Sequence, residues 1–213
     1  MNSLLRSGLA VALGLAAIAS GRAAHATPCM MAPAATYTAV GFSCTVGKLT
    51  FSAMSISPST TGDGVVGPIT VTPLASGLSL TFSAAASAPP PSTADIAWLY
   101  TVSSSAPITD AGLLLTGSGT GGGTVTLSET LSNGATLTAM NPGSSTDHVT
   151  FSGVSSLSVA KDLANVALTD GSMAVSSVIE NTFSTTPIPE PASIALFGFG
   201  LVGLGMSRFR KRS

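Results

Sequence analysis

The side chains able to do chemistry are few and far apart. Asp147-His148, combined with one of many serines, would supply the acid, base and nucleophile of a hydrolase. No G-x-S-x-G elbow accompanies them, and His148 follows the turn signal Asn141-Pro142-Gly143, so a solvated loop histidine is expected. Glycoside chemistry needs two carboxyls, and Glu129 and Glu180 are the two glutamates between residues 27 and 187. Glu129 falls on the apolar parity of its segment, a placement that suits an edge position. Asp63 (between Gly62 and Gly64), Asp110, and Asp170 (before Gly171) read as loop acids of the kind that collect calcium, without the dense alternation of an EF-hand loop. Two glycine sets match G-x-G-x-x-G: Gly117, Gly119, Gly122 and Gly198, Gly200, Gly203. A dinucleotide site needs a strand before the glycines, a helix after them and a downstream acid. The first set leads into strand-like alternation and reads as a hairpin loop; the second lies in an apolar tail close to the last residue. No G-x-x-x-x-G-K-[ST] phosphate loop occurs. The expectation is no catalytic residue, no metal site and no cofactor.

Cys29 and Cys44 are the full cysteine count. In an oxidising compartment a close pair reads as a disulfide. A zinc or catalytic thiol would need partners, and His148 is the one histidine beyond residue 26. Trp98 and Tyr100 share a strand face and could stack on a sugar; core packing is the preferred reading for the single tryptophan.

The elements carrying these residues read as strands. Between Tyr37 and Phe183, period-two alternation recurs at Ile69 and Val71; Leu78, Leu80 and Phe82; Ile96, Trp98, Tyr100 and Val102; Val125, Leu127, Glu129 and Leu131; Val149 and Phe151; Met173 and Val175. Breaks are expected at Pro58 to Gly64, Ala84 to Ser92, Gly117 to Gly123 and Asn141 to Gly143, all rich in glycine or proline. Apolar faces alternating with Ser and Thr suit two sheets packed face to face, so the expected fold class is all-β, an antiparallel β-sandwich over residues 27–187. A β-solenoid is the rival architecture, and the fixed repeat it should show is missing.

Charge narrows the functions. Charged residues make up 8% of the 213, against roughly 25% in ordinary soluble domains. Between residues 27 and 187, Lys48 and Lys161 stand against eight carboxylates, which excludes a phosphate-backbone partner; no nucleic acid is expected. The remaining cations sit at the two ends.

Residues 1–26 read as a secretory signal: Arg6, an apolar run from Gly8 to Ala19, and Ala24-His25-Ala26 matching the A-x-A cleavage pattern. At the other end, residues 188–213 open with the stiff Pro189-Glu190-Pro191. Residues 192–207 follow without a charge, enough for a transmembrane helix of about 24 Å. Arg208, Arg210, Lys211 and Arg212 close the segment as a membrane-stop cluster kept on the cytoplasmic side.

That order of motif, apolar helix and basic cluster resembles the PEP-CTERM sorting signal of Gram-negative bacteria. Gly41 to Ser52 and Gly117 to Leu131 also resemble segments of PEP-CTERM ectodomains, without a catalytic motif in either. The resemblance implies recognition of Pro189, Glu190 and Pro191 by exosortase, a membrane protease-transpeptidase of strains that make extracellular polysaccharide. The expected protein is exported by the secretory translocase, held transiently in the inner membrane, and released to the cell surface or matrix, with exopolysaccharide or other surface components as neighbours. A non-enzymatic structural or interaction role is expected. A carbohydrate- or surface-binding module is the alternative and a hydrolase the third choice.

Overall fold

Among the described residues, short runs of alternating apolar and small polar residues, broken by glycine and proline, form twelve strands and one helical turn. The computed structural model describes residues 27–186; the expected signal segment with Ala24 and Ala26, and the tail with Pro189 to Pro191, 192–207 and Arg208 to Arg212, lie outside the described residues. In chain order the elements are β1 (Thr27–Pro28), β2 (Ala32–Pro33), α1 (Ala34–Tyr37), β3 (Ser43–Val46), β4 (Leu49–Thr61), β5 (Val65–Val66), β6 (Thr70–Leu74) and β7 (Gly77–Ser87). The remainder are β8 (Ser92–Thr120), β9 (Thr124–Leu131), β10 (Thr136–Asn141), β11 (Thr146–Ala167) and β12 (Met173–Thr185).

Hydrogen bonding links all twelve strands into one network. Two long strands make the connection. The first half of β8 lies between β4 and β11, and its second half pairs with β12 and with the start of β11. The second half of β11 runs between β8 and β9, with β10 beyond β9. On the other side β12 is flanked by β8 and β7, and β7 by β6 and β5. Every pairing is antiparallel apart from the two-residue parallel pair of β1 with β3. The fold is all-β, and its strands are not divided into two unconnected sheets.

Bulges make the long strands possible. In β4 the inward residues are Leu49 and Phe51, then Met54 and Ile56, so the parity changes between them. Ala53, at φ 51°, lies within that change, where the register with β8 slips between Ser52 and Ser55. One extra residue re-aims every side chain that follows. Similar slips occur in β11 between Thr150 and Ser156, and in β12 between Ser176 and Val178. The last of these corrects the stripe expected at Met173 and Val175: Met173 is exposed, and Ala174 and Ser176 face inward instead. The other long stripes hold, with Leu78, Leu80, Phe82, Ile96, Trp98, Tyr100, Val102, Val125, Leu127 and Leu131 all buried. Several expected breaks fall inside strands, since Pro58 to Thr61 extend β4 and Gly117 to Thr120 extend β8. Gly121 and Gly122, both at positive φ, make the turn into β9, but β8 and β9 are not paired across it and Gly117 and Gly119 lie within β8, so the hairpin loop expected of that glycine set is corrected to a turn between strands with different partners.

Cys29 and Cys44 are bonded, fastening the segment after β1 to β3. Cys44 is fully buried beside Phe51 in the shared core. Their separation of 15 residues sets a loop whose closure is worth about 3 kcal/mol in the chain-entropy model. Replacing both by serine is expected to lower the unfolding free energy by that order, read as a lower urea midpoint.

Candidate functional site

The residues singled out for hydrolysis do not assemble. Asp147 and His148 are neighbours in β11, where alternation sends their side chains to opposite faces. Both carboxylate oxygens of Asp147 accept backbone N–H groups, from Thr138 and His148 at 2.8 Å each. The exposed His148 imidazole instead has Nε2 3.7 Å from Asp110 Oδ1, which also accepts the backbone N–H of Ser184 at 3.0 Å. His148 is therefore a strand residue and not the loop residue expected, and Asp110 likewise lies within β8. Asp63 and Asp170 sit in turns on separate connections, and among the described residues no three His, Cys, Asp or Glu side chains gather as metal ligands.

Glu129 is not at an edge. Its strand β9 runs between β10 and β11, and the residue is 1% exposed. Glu180 alternates with the buried Asn181 on β12, so it faces away from the core that Glu129 enters. The two glutamates do not form a catalytic pair. Trp98 and Tyr100 are 0% and 2% exposed, which removes both from any surface that could stack on a sugar.

What the fold does bring together is a buried polar cluster. Trp98, Lys161 and Glu129 lie side by side across β8, β11 and β9, each in register with the next. All three point inward. Lys161 Nζ contacts Glu129 Oε2, and neither side chain reaches solvent. The same ammonium lies 5.7 Å from the centre of the Trp98 ring, within range of a cation–π attraction. From β12, Asn181 Nδ2 donates to the carbonyl of Gly112 at 2.9 Å and towards Glu129 Oε1 at 3.4 Å. The Tyr100 hydroxyl donates to Asn181 Oδ1. Aromatic rings enclose the cluster: Trp98 packs on Tyr100 at 4.8 Å between centroids, and Phe51 on Tyr100 and Phe183 at 5.9 and 6.4 Å. Close backbone approach helps fix Asn181, because a Cβ on Gly77 of β7 would collide with the Asn181 carbonyl.

Electrostatics follow from this enclosure. Burial pushes the Lys161 ammonium below its usual range, and the contact with Glu129 opposes that shift in part. Burial, reinforced by the Glu129 charge, drives the Tyr100 hydroxyl well above its usual value, so it remains a hydrogen-bond donor. An amine, a carboxyl, a carboxamide and a phenol thus share one dry volume. The sequence signal was a polar residue on an otherwise apolar stripe, seen for Glu129 and equally present at Lys161 between Val159 and Leu163 and at Asn181 between Ile179 and Phe183. Only the strand register shows that the three meet.

Outside the described residues, comparison identifies one segment. Residues 187–211 match the family model of the PEP-CTERM protein-sorting motif. Searches of curated proteins and of solved structures returned no match.

Proposed function

We propose that this chain, which carries a PEP-CTERM protein-sorting motif, is a surface or matrix protein whose β-rich ectodomain serves a structural or interaction role without catalysis. The motif indicates exosortase-dependent sorting to the cell surface. That match carries the reading. It coincides with Pro189-Glu190-Pro191, the uncharged run 192–207 and the arginine-rich cluster through Lys211. In this reading residues 1–26 direct export, 192–207 hold the chain transiently in the inner membrane with the basic cluster inside, and the enzyme acts at the Pro-Glu-Pro element.

A non-catalytic ectodomain is supported by the dispersal of the hydrolytic candidates and the burial of its largest aromatics. We further infer a sandwich-like core in which β12 faces the layer formed by β9, β11 and the first half of β8. Supporting contacts are the cluster around Asn181, the Phe51–Phe183 pair, and the Asn165–Ser176 side-chain hydrogen bonds of 2.9 and 3.0 Å.

The test is intact-mass and localisation analysis in hosts with and without exosortase. Wild type with the enzyme is expected to lose the tail near Pro189 to Pro191 and to leave the membrane fraction. Glu190→Ala, or wild type without the enzyme, is expected to keep residues through Ser213 and to stay in the membrane. A tail retained in every case would overturn sorting at this motif.

A further inference from the structure

The buried cluster holds the parts that aminolysis of a carboxamide requires. Lys161 supplies a nucleophilic nitrogen. Glu129 reaches the amine with Oε2 and the Asn181 amide nitrogen with Oε1, so one carboxyl can take a proton from the first and return it to the second. Tyr100 donates to the carboxamide oxygen, where negative charge develops on attack. Register and packing hold all four in place before any reaction begins.

We propose that Lys161 and Asn181 join spontaneously through an amide bond between Nζ and Cγ, tying β11 to β12 with release of ammonia. The Lys161 ammonium first gives a proton to Glu129, leaving a free amine and a neutral carboxyl. The nitrogen lone pair attacks Asn181 Cγ, and the carbonyl π pair moves onto Oδ1 under the Tyr100 hydroxyl. Glu129 delivers its proton to Nδ2, the Cγ–Nδ2 bond breaks and ammonia departs as the carbonyl re-forms. The surplus proton on Nζ passes back to Glu129, which ends as a neutral acid. Atoms and charge balance without an oxidant, reductant or further reactant.

Several observations favour this course over an inert ion pair. The lowering of the Lys161 pKa by burial makes the amine form accessible. A buried ion pair becomes neutral groups, which removes the desolvation penalty of two charges. Side chains with no solvent contact also keep out the water that would compete for Asn181. Condensation of Lys161 with Glu129 itself is the less suitable chemistry. It would consume the one carboxyl that can shuttle protons, and an ionised carboxylate resists attack.

Peptide mapping of the exported full chain under reducing, denaturing conditions tests the bond. The expected result is a deficit of one ammonia against the sequence, complete loss of tryptic cleavage after Lys161 and, after cleavage before Asp162 and Asp170 by an aspartate-specific protease, a branched peptide joining Lys161 to Asn181. Glu129→Gln is expected to show the full mass and normal tryptic cleavage after Lys161. Lys161→Arg serves the same end if that variant does not fold. Separate, unmodified Lys161 and Asn181 peptides in the wild type would overturn the proposal. So would an ammonia deficit confined to an unbranched peptide, or a loss of water with a Lys161–Glu129 link.

Discussion

Glu129→Ala, which also loses the bond between Lys161 and Asn181, is expected to be about 3–5 kcal/mol less stable than a variant with no charge in the cluster, because it strands the Lys161 charge in a volume that water does not reach. Coulomb attraction to Glu129 is what opposes the burial penalty on that lysine, and alanine offers nothing in its place. The double replacement Glu129→Leu with Lys161→Met removes both charges, fills the space and equally lacks the bond to Asn181, so it should be the more stable of the two variants by that amount. Urea unfolding of the two unlinked variants reads the comparison directly through their midpoints. A pH series adds a sign. The folded lysine of Glu129→Ala holds its proton less tightly than the unfolded chain, where the ordinary value is 10.5. The unfolded state therefore binds more protons in the window between the lowered folded value and 10.5, and stability must rise with pH across it. A single variant no less stable than the double one would mean that the ammonium finds water after all.

Trp98→Ala is the second large effect, again about 3–5 kcal/mol. The indole is the largest fully buried side chain, packed on Tyr100 and beneath the Lys161 ammonium. Its Nε1 finds no acceptor among the described residues, so what it contributes is ring contact and not a hydrogen bond. Trp98→Phe keeps an aromatic face and should retain much of the stability. Far-UV circular dichroism on thermal or urea unfolding is the suitable readout, since both variants lose the only tryptophan. A Trp98→Ala protein as stable as wild type would place the indole outside the packed core.

Much of the strand content was legible because period-two alternation is a local property. Leu78 to Phe82, Ile96 to Val102 and Val125 to Leu131 announce inward faces that the fold uses unchanged. The bulges were not legible. One inserted residue, as at Ala53 or between Ser176 and Val178, reverses parity with no residue type that marks it, and so Met173 and Val175 were read on the wrong face. Proline and glycine were also over-read as breaks where long antiparallel strands absorb them. Candidate sites suffered most from distance in the chain. Glu129 was visible as a carboxylate on an apolar stripe, but its partners Lys161 and Asn181 lie 32 and 52 residues away. Nothing local says that β9, β11 and β12 converge. The sorting tail needed no fold to be read, since its signal is an order of composition along the chain.

The position of β12 has a mechanical consequence. It is the last strand before the sorting motif, which begins at residue 187, and it is hydrogen-bonded on both sides, to β8 and to β7. In the sorting proposed above, a chain joined to the surface through its C-terminal end would take external drag where β12 ends at Thr185. Pulled along its axis, a strand is sheared against all its ladder bonds at once, and β12 resists with two ladders where an edge strand has one. Detachment under flow is governed by an unfolding rate and not by equilibrium stability. A last strand held on both sides would slow that rate where the load enters.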